Sequence, residues 1–326
     1  MAVREQNSWA QELRGTVEIY NPRQETPAPT PAAGPDPYGS ADSAWLRTDW
    51  RKHLRTAEVA GVRANYAEIG EGPPVLLIHG LSGCWQNWLE NIPHLAENHR
   101  VIAVDLPGFG ASPLPPWEIS VPAYGRFVHD FCEQVGIGVA GVIGSSLGGF
   151  VASELAITEP ERVEHLVLVS AAGVSFARTR REPAAVVGRV ARAAAPLAFR
   201  HQMQGLRRSR LRHLAYRGMV HDPRALDPRL LFEITLPALR APAFYDAITT
   251  LVGYDVRQRL AEIEVPTLVV WGRNDRVVPS PAAPLYRQLI GDNARMEIFD
   301  RCGHLPMLER PVRFNRLVDE FLSESG

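Results

Sequence analysis

The chain is nearly without lysine: of its 35 Lys and Arg residues only Lys52 is a lysine. We read that bias as genomic rather than mechanistic. Against 36 acidic residues it leaves a formal net charge of −1, so the overall balance gives no pull toward nucleic acid. Cysteine is scarce as well. Cys84, Cys132 and Cys302 are odd in number and lack metal-type spacing, so neither a disulfide framework nor a zinc site is indicated, and the chain suits a reducing compartment. No uninterrupted apolar run approaches the ~20 residues of a membrane span. Met1 to Tyr20 mixes charges with scattered apolar residues, unlike the charged start and apolar core of a secretory signal. The expected location is cytoplasmic.

What is present is enough apolar material, 45% of 326 residues, to bury a sizeable core, and one large domain with an insertion is expected. Residues 21–44 carry six prolines among Ala, Thr and Gly, which rules out a helix or a central strand and reads as an extended linker. Upstream, Trp9 and Leu13 could pack as a short helix; downstream, Trp45, Leu46 and Trp50 could anchor the linker to the body. From Val62 the pattern becomes regular. Val62 to Ile69 alternates like an edge hairpin strand, and Val75–Ile78, Val101–Asp105, Val139–Ile143, Leu166–Val169, Thr267–Trp271 and Met296–Phe299 are short apolar runs of the buried, parallel type. Helical spacings lie between them, at Trp85 to Leu95, Tyr124 to Val135, Phe150 to Ala156, Ala283 to Leu289 and Phe314 to Phe321. Such alternation argues for a parallel sheet with helices on both faces, α/β and doubly wound. It stops between Phe176 and Val256, where proline-broken helical stretches read as an insertion laid over one edge of the sheet. The expected units are an N-terminal extension (1–60), a core (61–175), a helical cap (176–256) and the rest of the core (257–326).

The core is organised around Gly144-Ser145-Ser146-Leu147-Gly148, a G-x-S-x-G pattern between an apolar β-branched run and a helical one. Strand, sharp turn and helix form the context in which a serine is forced into a strained conformation, so that its neighbours two positions away must be nearly side-chain-free. Ser146 would then project its hydroxyl from the top of the sheet. A serine hydroxyl is a weak nucleophile unless a base takes its proton and a third group fixes that base. For this elbow the partners follow in the order acid, then histidine. Asp275 lies just beyond the Thr267 strand and His304 just beyond the Met296 strand, so both loops gather at the carboxyl edge of the sheet. Asp300 and Asp255 compete for the acid's place, and His79, which precedes the elbow, is expected to have a structural hydrogen-bonding role. Two backbone donors for a developing oxyanion are expected, the N–H groups of Leu147 and of Leu81, the latter in the loop after the Val75 strand.

These residues resemble the α/β-hydrolase fold superfamily. The likeness rests on His79-Gly80, Asp105 to Ser112, the elbow with its extra Gly149, Trp271 to Asp275, and Gly303 to Pro311, which span the chain from Val62 apart from the insertion. The resemblance implies a mostly parallel eight-stranded sheet with an inserted helical cap, a Ser146–Asp275–His304 triad, and no cofactor. Epoxide hydrolases and haloalkane dehalogenases look similar but place an aspartate where Ser146 stands. Meta-cleavage C–C hydrolases share a Ser-Leu-Gly-Gly-like elbow, yet typically carry an aromatic residue after the catalytic histidine, where Leu305 stands here. The resemblance therefore implies hydrolysis of a small, apolar carboxylic ester, with C–C hydrolysis as the alternative and a non-catalytic ligand-binding protein as the reading from another class.

The insertion has a charge of its own. Between Phe176 and Arg217 lie eleven arginines, Arg207, Arg208, Arg210 and Arg212 among them, against the single acid Glu182, interleaved with apolar residues such as Leu206, Leu211 and Leu214. An apolar stripe flanked by cations suits a solvated cap face, or an anionic membrane surface on which the protein would rest peripherally.

Overall fold

The computed structural model describes residues 25–40, 43–174, 209–238 and 241–324. Its frame is an eight-stranded sheet: β1 (Leu54–Val59), β2 (Val62–Ile69), β3 (Pro74–Ile78), β4 (Arg100–Val104), β5 (Ala140–Ser145), β6 (Val163–Val169), β7 (Thr267–Gly272) and β8 (Ala294–Phe299). The order across the sheet is β1-β2-β4-β3-β5-β6-β7-β8, with β1 and β2 antiparallel to their neighbours and all other pairs parallel. β3, β5 and β7 are buried almost throughout, as central parallel strands covered on both faces must be.

Helices cover both faces: α1 (Ile92–Leu95), α2 (Val121–Gln134), α3 (Leu147–Thr158), then α4 (Ser209–Tyr216), α5 (Pro228–Ala238) and α6 (Phe244–Gly253) of the insertion, and α7 (Ala282–Ile290), α8 (Pro306–Glu309) and α9 (Pro311–Leu322). One core joins α2, α3 and α7 to the sheet through Phe127, Phe131, Phe150 and Tyr286, and the other joins α1 and α9 through Leu95, Phe314 and Phe321. The described part of the insertion contacts loops at the carboxyl edge. Ala243 packs so closely on Gly108, in the loop after β4, that a Cβ there would come within 2.3 Å of the Ala243 Cβ. Met219 accepts the His304 N–H at 2.6 Å in the loop after β8.

Two expectations need correction. Val62–Ile69 is a hairpin strand but not an edge: β1 lies outside it, so the sheet begins ahead of residue 61. The Leu-Arg-Thr-Ala-Glu-Val of β1 is mostly solvent-facing, with burial complete only at Val59, so it carries no buried-strand signature. The proline-rich segment is a strap and not a free linker. Residues 25–40 form no helix or strand, but Thr30 donates its N–H to Ile298 O (2.9 Å) and accepts from Ile298 N–H through Oγ1 (3.0 Å). That covers the β8 side of the sheet, where unpaired backbone groups would otherwise face solvent. Arg313 donates to Thr30 O and Arg310 to Asp36 O. At the strap's end Trp45 is buried and donates from Nε1 to Glu90, and Trp50 packs its ring on Trp85, whereas Leu46 is exposed. Trp9, Leu13 and the arginines between 178 and 208 lie outside the described residues.

Candidate active site

Ser146 stands where β5 turns into α3, at φ 53° and ψ −113°, a region that a side-chain-bearing residue occupies only at a cost of about 1–3 kcal/mol. The surroundings hold it there. Ser146 N–H donates to Val169 O (2.9 Å), and Ser146 O accepts from Ala172 (3.0 Å) and Phe150 (3.1 Å). The flanking glycines are required by contact: a Cβ on Gly144 would lie 2.3 Å from Gly148 O, and one on Gly148 would lie 2.1 Å from Ile78 O. Ser145, the neighbouring hydroxyl, belongs to β5.

Asp275 and His304 are brought together. His304 Nδ1–H donates to Asp275 Oδ2 at 2.8 Å, with both side chains buried, while Asp275 Oδ1 accepts the N–H groups of Val277 (2.8 Å) and Val278 (2.9 Å). With the proton on Nδ1, the neutral ring carries its lone pair on Nε2, the tautomer a general base needs. The competing acids are engaged elsewhere, Asp300 with Arg273 and Asp255 with Arg257. Ser146 lies at the same carboxyl edge, two strands from Asp275, and its Oγ makes no hydrogen bond of its own among the described residues.

The loop after β3 lies against the serine, since a Cβ on Gly80 would be 3.0 Å from Ser146 Cβ. Leu81 follows in that loop and Leu147 opens α3. Neither of their N–H groups donates to a protein acceptor among the described residues. Two unused amides beside one strained serine can receive a developing oxyanion. His79 is structural: Nδ1–H donates to Gly80 O (2.7 Å), Nε2 accepts Leu106 N–H (3.0 Å), and burial pushes its pKa down to about 4. Asp105, at the end of β4, accepts from Trp85 N–H, Ala111 N–H and Asn65 Nδ2, ties the neighbouring loops together, and is pushed up to about 6 by burial. Among the described residues no group of His, Cys, Asp and Glu could hold a metal ion.

Sequence reasoning quoted Glu309 within the histidine loop's motif without giving it a role. Its buried carboxylate accepts the N–H groups of Gly303 (2.9 Å), Leu305 (3.1 Å) and His221 (2.7 Å) and the hydroxyl of Tyr38 (2.8 Å). Burial raises its pKa, while these four donors pull the other way. The peptides on either side of His304 are thus fixed by one side chain. The signal available in the sequence was a carboxylate five residues after the histidine, in an otherwise apolar turn.

Comparison with known proteins bears on the family of the fold. Residues 73–311 match the family model described as alpha/beta hydrolase fold. The chain is 32% identical over 289 residues to the 2-hydroxymuconate semialdehyde hydrolase of Pseudomonas sp. (strain CF600), covering 82% of this chain and 92% of that protein. It is 30% identical over 260 residues to the pimeloyl-[acyl-carrier protein] methyl ester esterase of Aeromonas hydrophila subsp. hydrophila, covering 78% and 96%. Among solved structures it is similar to a membrane phospholipase A at a TM-score of 0.66 and 28% identity, covering 86% of this chain and 89% of that one.

Proposed function

The chain belongs to the α/β-hydrolase fold family, and from that premise we propose that it is a serine hydrolase cleaving a carboxylic ester through an acyl-enzyme intermediate on Ser146. The observation that carries the reading is the buried Asp275–His304 pair at the same sheet edge as a strained serine. In this mechanism Ser146 Oγ attacks the ester carbonyl carbon while His304 Nε2 takes its proton. The N–H groups of Leu81 and Leu147 receive the oxyanion, each contributing about 3 kcal/mol. The C–O bond breaks, the alcohol leaves with the proton from His304, and a water activated by the same Nε2 releases the acid. Asp275 stays ionised throughout and stabilises the imidazolium.

A second reading, hydrolysis of a C–C bond next to a ketone, is favoured by the 2-hydroxymuconate semialdehyde hydrolase relative. Against it stands Leu305, buried directly after His304, where the C–C hydrolases that the chain resembles typically carry an aromatic residue. A p-nitrophenyl ester chain-length series run beside a vinylogous 1,5-diketone separates the two: the ester reading expects faster turnover of the esters, and turnover of the diketone alone would replace it. Failure of both, together with failure to label with a fluorophosphonate, would leave a ligand-binding protein.

The same reading extends to where the enzyme works: it rests peripherally on anionic membrane through the insertion. Supporting this is a hollow of about 910 Å³ lined by Arg210, Arg217, Arg224 and Arg276, none with a carboxylate partner among the described residues, beside the exposed Leu211 and Leu214 of α4. Exposed leucines flanked by guanidiniums without carboxylate partners, with Asp222 the one acid among the lining residues, suit an interface of acyl chains and anionic head groups, each arginine adding about 1 kcal/mol. No described helix is long and apolar enough to cross a membrane. Co-sedimentation should occur with anionic but not zwitterionic vesicles, weaken with salt, and fall in Arg210→Gln/Arg217→Gln. Equal binding to both vesicle types, or to neither, would remove the membrane contact.

A further inference from the structure

The N-terminal strap reaches the active site. Tyr38 Oη donates to Glu309 Oε2 (2.8 Å) across 271 residues of sequence and accepts the N–H of Asp222 (2.8 Å). Glu309 in turn holds Gly303 N–H and Leu305 N–H, the two amides that flank His304, while the His304 N–H itself goes to Met219 O (2.6 Å). Three remote segments therefore meet around one histidine: the strap, the Met219–Asp222 turn of the insertion, and the loop after β8. The strap is fastened independently of that hydroxyl. Arg310 lies 5.0 Å over the Tyr38 ring and donates to Asp36 O, Asp300 O and Arg301 O, and Arg313 donates to Thr30 O.

We propose that Tyr38 is a positioning residue: its hydroxyl fixes the Glu309 carboxylate, and through it the orientation of His304 toward Ser146. The inference rests on the hydrolase reading of Ser146. A carboxylate with four donors has one preferred placement; with one donor gone it can rotate, carrying the peptides at Gly303 and Leu305. A shift of an ångström in a catalytic group costs turnover far more than it costs substrate binding.

The test compares Tyr38→Phe, which keeps the ring under Arg310 and removes only the hydroxyl, with Thr30→Val, which loosens the strap at the β8 edge away from His304. In Tyr38→Phe the rate of Ser146 labelling by a fluorophosphonate and kcat on a p-nitrophenyl ester should both fall about 10-fold, with KM within about 2-fold. Thr30→Val should leave the labelling rate near that of the wild type. Losing a donor also makes the Glu309 carboxylate more basic, so the acid limb of kcat should move to higher pH in Tyr38→Phe. The titratable and charged groups around Glu309 are Tyr38 and Asp36 of the strap, His221 and Asp222 of the insertion, Cys302, His304 and Arg310 of the loop and its helices, and Asp275 of the acid loop. An unchanged labelling rate and acid limb in Tyr38→Phe would overturn the positioning role while leaving the hydrolase reading intact. Equal losses in both variants would reduce the strap to an anchor and overturn it too. A wild-type chain that neither labels nor turns over ester would remove the hydrolase reading, and this role with it.

Discussion

Ser146 and His304 are held in place by opposite means. Ser146 is fixed by its own turn and helix and by the neighbouring strand β6: its backbone partners are Phe150 in α3, Val169 at the end of β6 and Ala172 just beyond it, and the glycines that permit its conformation lie two residues away on either side. His304 is fixed by strangers in sequence, with Met219 holding its N–H, Glu309 its flanking peptides, and Tyr38 and His221 holding Glu309. The elbow's setting is complete once β3, β5, β6 and α3 are packed, all within the sheet and its helix, whereas the histidine's setting exists only when strap, insertion and sheet are all docked. The serine side therefore depends on the sheet and its own helix, and the histidine side is where changes in the strap and the insertion should reach the chemistry.

The largest expected effect lies on the local side. Ser146→Ala should lower ester turnover about 10⁶-fold, leaving the oxyanion amides and binding. Ser145→Ala should cost far less because Ser145 is in β5 and not at the turn. Loss of activity in Ser145→Ala with Ser146→Ala active would break the comparison at its root.

On the assembled side, Asp275→Asn keeps the shape of the acid but offers His304 Nδ1 an N–H where it needs an acceptor, favouring the wrong tautomer, and kcat should fall about 10⁴-fold as in other triads. Melting should change less than turnover, because the Val277 and Val278 amides can still bond to the amide oxygen. Near-normal kcat would move the acid elsewhere, although Asp300 and Asp255 already pair with arginines.

A pair of glycine substitutions sharpens the contrast. In Gly148→Ala the new Cβ would meet backbone at Ile78 O (2.1 Å) and His79 O (2.5 Å), inside the sheet. Such overpacking should destabilise by about 1–3 kcal/mol or more. In Gly303→Ala the Cβ would meet Met219 O (2.6 Å) and Val220 Cα (2.9 Å), which belong to the insertion. That turn can move off, so urea unfolding should change less than in Gly148→Ala while kcat falls more per kcal/mol of stability lost. The reverse ranking would mean that the insertion is as rigid as the core.

What was legible in the sequence divides along the same line. The strands from Val62 onward, the elbow and the loops carrying Asp275 and His304 are written in local patterns of apolar runs and breakers, and the structure places them at one sheet edge. β1 was hidden because its Arg55 and Glu58 face solvent on an outer strand. The strap read as a linker because proline excludes helix and sheet, and nothing local announces that Thr30, Asp36 and Tyr38 each meet a partner more than 260 residues away. Glu309 stood in a recognised motif, but its role depends on donors from three separate segments.

The smallest expected effect separates two histidines at the same edge. His79 is enclosed, with both ring nitrogens bonded to backbone, and burial lowers its pKa from 6.5 to about 4; His304 faces the carboxylate of Asp275. The unfolded chain therefore takes up a proton at His79 from about pH 6.5 downward while the folded chain resists until about 4, so this residue removes stability as pH falls through that window, up to about 3 kcal/mol. Asp105, next to the same loop, works in the opposite direction: burial raises it from 3.8 to about 6, the folded chain keeps the proton, and stability is gained as pH falls from about 6 to 4. The two offset each other, and the wild type should show only a shallow net acid dependence from this corner of the fold. His79→Asn retains a donor for Gly80 O but leaves Leu106 N–H unpaired, lowering stability by about 1–3 kcal/mol at every pH. It also removes the opposing term, so urea unfolding between pH 6.5 and 4 should show the variant closing on the wild type as the solution is acidified, with Asp105 alone setting the slope. A gap that stays constant over this range would mean that folded and unfolded chains take up the His79 proton alike, and the bond from Leu106 N–H to a neutral, buried ring would then have to be redrawn.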